Sequence, residues 1–194
     1  ASPLGSRNVR LTYPPGAWLT FTGIIRCLQA MAEIEKPIVA KVNGDAVSFG
    51  QSVALASDII VAVEDARFVD QHLGMDEVEG YETEFGIVPG DGGILLPLFM
   101  SPVKAKECLM LAKTYTARDL AQMGLINYAV PASELDAKVA DIVSRLLRRS
   151  AYALAWTKRV ANRRLAEQLN LSMDAAAAYE MVTLLQAEDR KTLE

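Results

Sequence analysis

Two nearly continuous apolar runs, residues 38–42 and 58–63, constrain the fold more than any other feature of this chain. Both are rich in β-branched residues and lack polar alternation, which is typical of strands buried on both faces of a sheet. About fifteen residues separate the two runs, and this leaves room for a short crossover helix. The pattern therefore predicts an α/β protein with a buried sheet.

A helix is predicted before the first run. Apolar residues recur at helical spacing over residues 18–34, and Pro37 disfavours continuation of the helix, so this helix leads into the first strand. Residues 66–69 have the pattern of another short strand. The stretch that follows, "DQHLGMDEVEGYETEFG", is acidic and lacks periodicity. We expect its residues 70–84 to form the least ordered internal segment and to control access to a site.

The remainder of the chain has a helical pattern. Thr116 and Ser133 are predicted N-caps, and Gly124 is a predicted helix stop. Residues 152–188 have the alanine-rich pattern of two helices, and alanine permits close approach of another helix or subunit.

Composition excludes several classes of partner. The net charge is −4 and basic residues form no stripe, so no nucleic-acid partner is expected. No apolar run reaches the ~18 residues of a membrane span, so no membrane partner is expected. Cys27 and Cys108 lie in apolar helical contexts and are predicted to be buried core thiols. A small-molecule ligand and a reducing cytoplasmic location are the expectations.

A glycine-punctuated turn, "NGDAVSFG", follows the first apolar run. Neither this stretch nor "PGDGG" matches the dinucleotide fingerprint, and the lysine-bearing phosphate loop is absent. A glycine turn that opens a helix can instead direct backbone N–H groups at an oxygen that carries negative charge. The alternative is a turn that serves only strand-to-helix packing.

Several motifs in order resemble one family. The stretches "KPIVAKVNGDAVSFGQSVALASDIIVAVEDARF", "GIVPGDGG", "AKECLMLAKTYTARDLAQMGLINYAVP" and "WTKRVANRRL" are similar to the crotonase superfamily of enoyl-coenzyme A (CoA) hydratases and isomerases, over residues 36–189. The resemblance implies an α/β crotonase-like spiral of β-β-α units over residues 1–130, which we expect to lack part of the N-terminal repeat. It also implies a helical oligomerisation region over residues 131–194.

The resemblance further implies an acyl-CoA substrate, no metal or redox cofactor, and a homotrimer or a dimer of trimers. Two backbone amides would stabilise an enolate-like thioester oxyanion. One belongs to an N-terminal segment that the resemblance does not place on this chain. The other belongs to the middle of a Gly-Gly-Gly run, which here reads Ser48-Phe49-Gly50, so the Phe49 amide would be the donor. A phenylalanine there could crowd the thioester or require a backbone angle that glycine tolerates more readily.

Family hydratases use two glutamates to hold and activate water. The first falls on Ser52, which cannot act as a general base without a partner, so it either bonds to substrate or water or caps the short helix. The second falls on His72 when counted forward from Phe68, or on Glu82 when counted back from Gly86. His72 is the only histidine and would carry protons near neutrality, whereas Glu82 lies in a run of acidic residues that could simply solvate a loop.

Two further interpretations concern Asp91, which replaces a small residue in "PGDGG". Its carboxylate either lines the acyl pocket or satisfies the backbone of its own turn. A serine triad of Ser52, His72 and either Asp70 or Asp91 is a competing hypothesis, although no G-x-S-x-G elbow surrounds Ser52.

The leading hypothesis is an enzyme of the enoyl-CoA hydratase/isomerase type that uses the Phe49 amide. The loss of glutamate at Ser52 favours an alternative crotonase reaction, such as decarboxylation, thioester hydrolysis or C–C bond cleavage. A catalytically silent acyl-CoA binder or oligomer scaffold is the third hypothesis.

Overall fold

The computed structural model describes residues 14–74 and 86–193. Within them the chain alternates strands and short helices up to residue 130 and is helical afterwards. The elements are α1 (Pro14–Glu33), β1 (Val39–Val42), β2 (Ala46–Val47), α2 (Phe49–Leu55), β3 (Ile59–Val63), β4 (Arg67–Val69), α3 (Gly90–Phe99), α4 (Pro102–Met110), β5 (Tyr115–Thr116), α5 (Ala117–Gln122), β6 (Tyr128–Val130), a 3-10 turn (Ala132–Glu134), α6 (Leu135–Leu147), α7 (Ala151–Ala161) and α8 (Arg163–Leu193).

The strands form two small sheets. The first has the order β1-β3-β6 and is parallel throughout, with Val39 opposite Ile59. The second has the order β2-β4-β5, in which β2 and β4 are parallel and β5 is antiparallel to β4. The two predicted strands, now β1 and β3, are therefore neighbours joined through α2, as the crossover prediction requires. The prediction of burial on both faces holds for β3 but is wrong for β1, an edge strand that is only partly buried and exposes Lys41.

The core of the first sheet explains its sequence pattern. Residues 60–63 of β3 are all buried and pack with Leu96 of α3 and Leu120 of α5. Because residues 60–63 are buried whichever face they point to, no solvent-facing position interrupts this part of the apolar run.

A second core joins α8 to the N-terminal part of the chain. The buried apolar residues of α8 lie three, four or seven positions apart, so they share one face of the helix, and this face packs against α1 and α3. They are Leu165, Leu169, Met173, Ala177, Leu184 and Ala187. Residues 131–194 thus contribute to a core shared with α1, and the predicted boundary at residue 130 stays a prediction.

Helix ends follow some sequence signals and not others. Thr116 caps α5 in a capping box with Asp119, and Gly124 adopts a φ of 76° just beyond that helix. The prediction for Ser133 is wrong, because this residue lies inside the 3-10 turn that leads directly into α6. The burial prediction holds for Cys108 and is wrong for Cys27, which lies on the exposed side of α1.

In the described ranges, no helix combines the length and the apolar character that crossing a membrane would require.

Candidate active site

The turn after β2 positions the predicted oxyanion donor. Ser48 has φ 49° and ψ −118°, and its N–H donates to the carbonyl oxygen of Val69 at 2.9 Å. Helix α2 then begins at Phe49, whose N–H donates to no residue within the described ranges. The backbone angle that glycine tolerates best therefore falls on Ser48 and not on Phe49 as expected.

A cavity of about 450 Å³ lies beside α2. Its lining includes the Asn43–Gly44 turn and Gly50 but not Phe49. That the Phe49 amide faces an acyl pocket stays a prediction.

Ser52 is buried in the middle of α2, where its N–H donates to the Ser48 carbonyl at 3.2 Å. The interpretation of Ser52 as a helix cap is therefore wrong, since Ser48 occupies the N-cap position. A contact of Ser52 with substrate or water stays a prediction.

His72 lies in the segment that leaves β4. Asp70 directly follows this strand, and its Oδ1 accepts the His72 backbone N–H at 3.1 Å and lies 2.5 Å from the ring Nδ1. The other ring nitrogen, Nε2, lies 3.2 Å from Oε1 of Glu180 on α8. The imidazole is therefore held between two buried carboxylates.

Glu180 is a site residue that sequence reasoning missed. It lies three positions after Ala177 and four before Leu184, so it belongs to the buried stripe of α8. A carboxylate on an otherwise apolar helical stripe was the available signal, because a buried charge needs a partner.

Asp91 joins this cluster from the first turn of α3. It is 3% exposed, and its Oδ1 accepts the Gly92 N–H at 3.0 Å, so the turn interpretation holds for one oxygen. Its Oδ2 and the Oδ2 of Asp70 are buried and have no hydrogen-bond partner among the residues that the structure describes.

The glycines of "PGDGG" make room for these carboxylates. A Cβ at Gly90 would collide with Oε2 of Glu180, and a Cβ at Gly92 would collide with Oδ2 of Asp70. At Gly93 a Cβ would meet nothing within 4 Å. The motif thus brings the backbone of α3 into direct contact with two buried acids.

Two members of the cluster, His72 and Glu180, have raised pKa values. Burial alone would lower the pKa of His72, but hydrogen bonds to Asp70 and Glu180 outweigh it and raise the pKa to about 10. Burial raises the pKa of Glu180, and hydrogen bonding to His72 only partly opposes this. His72 is therefore an imidazolium at neutral pH, and not a group that titrates near neutrality as expected.

This arrangement limits what His72 can do. Because both ring nitrogens face carboxylates, the imidazole has no nitrogen available to accept a proton from Ser52, and the serine triad is not assembled. Ligand atoms of Asp70, His72 and Asp91 lie within 4.8 Å of one another. Because both imidazole nitrogens of His72 already contact carboxylates, the cluster fits a chain of hydrogen-bonded side chains better than a metal site. Glu82 lies outside the described residues, as does the greater part of the predicted access loop.

Comparison with known proteins found a matching family and curated relatives. The model of the enoyl-CoA hydratase/isomerase family matches residues 20–193. A crotonyl-CoA hydratase from Syntrophomonas wolfei is 32% identical over 158 residues, which are 81% of this chain and 54% of that protein. A carnitinyl-CoA dehydratase from Salmonella typhi is 30% identical over 149 residues, 76% of this chain and 51% of that protein. The chain thus spans about half the length of the curated relatives it matches.

Solved structures share the fold. An enoyl-CoA hydratase/isomerase from Mycobacterium paratuberculosis superposes with a TM-score of 0.77 at 27% identity, over 90% of this chain and 68% of that one. A β-diketone hydrolase from the cyanobacterium Anabaena sp. PCC 7120, bound to (S)-3-oxocyclohexyl acetic acid, superposes with a TM-score of 0.80 at 26% identity, over 92% and 68% of the two chains. The crotonase-like fold predicted from the motifs is confirmed.

Proposed function

The chain belongs to the enoyl-CoA hydratase/isomerase family, and we propose that it acts on an acyl-CoA thioester by stabilising its enolate and moving a proton beside the carbonyl. The observation that carries the proposal is the buried cluster of Asp70, His72, Asp91 and Glu180, where the end of β4, the start of α3 and helix α8 meet. Buried ionisable groups with displaced pKa values are a common mark of acid/base sites.

The oxyanion would be stabilised by the Phe49 N–H. This amide opens α2, and it follows β2 at the same end of the sheet at which Asp70 follows β4. A backbone donor that is fixed before the reaction costs no reorganisation when charge develops on the thioester oxygen.

The proton would be carried by Asp91. Its Oδ2 is the buried carboxylate oxygen of the α3 turn without a partner among the described residues, whereas His72 is already bonded on both sides. A carboxylate that removes a proton next to the thioester carbonyl leaves an enolate, and the same carboxylate can return the proton at another carbon. The His72 imidazolium would stabilise the negative charge of the acids around it.

A second candidate is hydrolytic cleavage of a C–C bond next to a carbonyl. The residue favouring it is Ser52, which stands where family hydratases carry a glutamate that activates water. The structural likeness to a β-diketone hydrolase gives this candidate independent support. A silent acyl-CoA binder would bind the thioester without either reaction.

We further propose a homotrimer or a dimer of trimers. Helix α7 exposes large apolar side chains at every fourth position, Tyr152, Trp156 and Val160, at 77%, 62% and 77%. Such a stripe on one helical face is typical of a subunit interface.

The test is turnover of crotonyl-CoA and of a 3-enoyl-CoA by the wild type and by Asp91→Asn. We expect a loss of ~100-fold or more in kcat for Asp91→Asn, the usual contribution of an acid/base group. Phe49→Ala is the matched variant, because it keeps the backbone amide and should keep most turnover. Binding without turnover in the wild type would favour the silent binder, and release of a cleaved acid from a β-diketone would favour the hydrolase.

A further inference from the structure

We propose that Glu180 is a positioning residue for this reaction, which holds the His72 ring from α8 and so fixes the arrangement of the acids around Asp91. The inference rests on the proposed function for its catalytic consequence. Its structural content is that a carboxylate on a helix remote in sequence, together with Asp70, fixes the orientation of the imidazole.

The contact geometry supports this role. Oε1 of Glu180 lies 3.2 Å from Nε2 of His72, while Asp70 Oδ1 lies 2.5 Å from Nδ1. A ring whose two nitrogens each contact a carboxylate, one on the β4 segment and one on α8, cannot rotate without losing an ion-pair contact in a buried site.

The backbone around Glu180 is shaped to receive it. Gly90 lies so close to Oε2 of Glu180 that a side chain there would displace the carboxylate, and the Ala176 carbonyl oxygen would be 3.2 Å from the added Cβ. Two turns beyond Ala176, the hydroxyl of Thr183 accepts the Val88 N–H at 2.9 Å. Helix α8 is therefore bonded both to His72 and to the segment that leads into α3.

The other titratable groups near this cluster lie on elements other than α8. Asp70 lies on its own segment, Asp91 on α3, and Cys108 on α4 has a pKa raised to about 11 by burial and then by the charge of Asp70. Each of these groups remains in place when Glu180 is replaced. A change in His72 on that replacement therefore reports the α8 contact.

The experiment uses His72 as its own probe, because it is the only histidine of the chain. Long-range ¹H–¹⁵N NMR spectra across pH give the imidazole pKa and the state of each ring nitrogen. In Glu180→Gln and in Gly90→Ala we expect the pKa of His72 to fall by about one unit or more, since one of two anionic acceptors is lost or displaced. The controls are Glu167→Gln, an exposed acid on the same helix, and Gly93→Ala in the same turn as Gly90.

The outcomes separate the two proposals. An unchanged His72 titration in both test variants, with native circular dichroism, would overturn the role of Glu180. If Glu180→Gln does not fold, Glu180→Asp and Gly90→Ala carry the test. A lowered His72 pKa with a reduced kcat and an unchanged KM supports the positioning role. If the variants lower the His72 pKa but the wild type turns over no thioester, the contact is supported and only the proposed function is refuted.

Discussion

The N–H of Ser48 donates to the carbonyl oxygen of Val69 at 2.9 Å, and this bond extends the pairing of β2 with β4 by one residue. The two residues that follow are Phe49, which opens α2, and Asp70, which bonds to His72. Because the strands are parallel, the predicted amide donor and the acid cluster leave the sheet at the same end. Ligands of open α/β sheets bind at this end of the strands.

Ser48 itself gives the first prediction. A serine with φ 49° and ψ −118° occupies a region that favours glycine, and its buried Oγ has no partner among the described residues. Ser48→Gly should therefore raise the free energy of unfolding by about 1 kcal/mol, measured by urea denaturation. Ser48→Ala removes the hydroxyl but keeps the backbone strain, so it should stabilise less. Equal effects of the two variants would argue against strain as the cause.

The second prediction compares two neighbouring glycines of α3. Gly92→Ala should destabilise the protein by about 1–3 kcal/mol, because the new methyl group meets the Asp70 carboxylate and lies 3.3 Å from Leu109. Gly93→Ala meets nothing within 4 Å and should be neutral or slightly stabilising, since alanine favours helix. Thermal denaturation of both variants measures the difference. Similar melting temperatures would show that the absence of a side chain at Gly92 is not needed to accommodate the Asp70 carboxylate.

The contrast between Phe49 and Glu180 shows how far the sequence could predict this site. The start of α2 at Phe49 and the two buried strands depend on local patterns, namely an apolar run and a glycine-rich turn. The contact of Glu180 with His72 forms because α8 packs across α1 and α3, and no local sequence pattern predicts this packing. The strands β2, β5 and β6 escaped prediction because two or three residues carry no periodicity, so the purely helical pattern expected after the acidic stretch is wrong at β5 and β6.

The displaced titrations in the cluster predict a pH dependence of stability. The pKa of His72 is raised from 6.5 to about 10, so between these values the folded state binds more protons at this residue than the unfolded state does. The stabilisation is complete below pH ~6.5 and is lost as pH rises through about 10. Urea denaturation of the wild type should show the free energy of unfolding decreasing over this window by on the order of a few kcal/mol.

His72→Gln is the control for this decrease, because lysines and tyrosines also titrate in alkaline solution. The difference in unfolding free energy between the wild type and His72→Gln should narrow steadily from pH 6.5 to pH 10. A difference that is constant across the window would mean that His72 carries no extra proton in the folded protein.

The last prediction concerns a buried ion pair outside the cluster. Nζ of Lys158 on α7 lies 2.7 Å from Oδ2 of Asp58, with side chains 4% and 17% exposed, and the same Oδ2 accepts the Ile38 N–H at 2.6 Å. Removing one partner leaves the other charge buried, so Lys158→Met and Asp58→Asn should each cost about 3–5 kcal/mol. The double variant should cost clearly less than the sum, because neither charge is then left unpaired. Lys41→Met, which breaks the exposed pair with Asp136, should cost under about 1 kcal/mol in the same urea measurements. Additive losses in the double variant would show that the Lys158–Asp58 pair contributes no coupling energy between α7 and the start of β3.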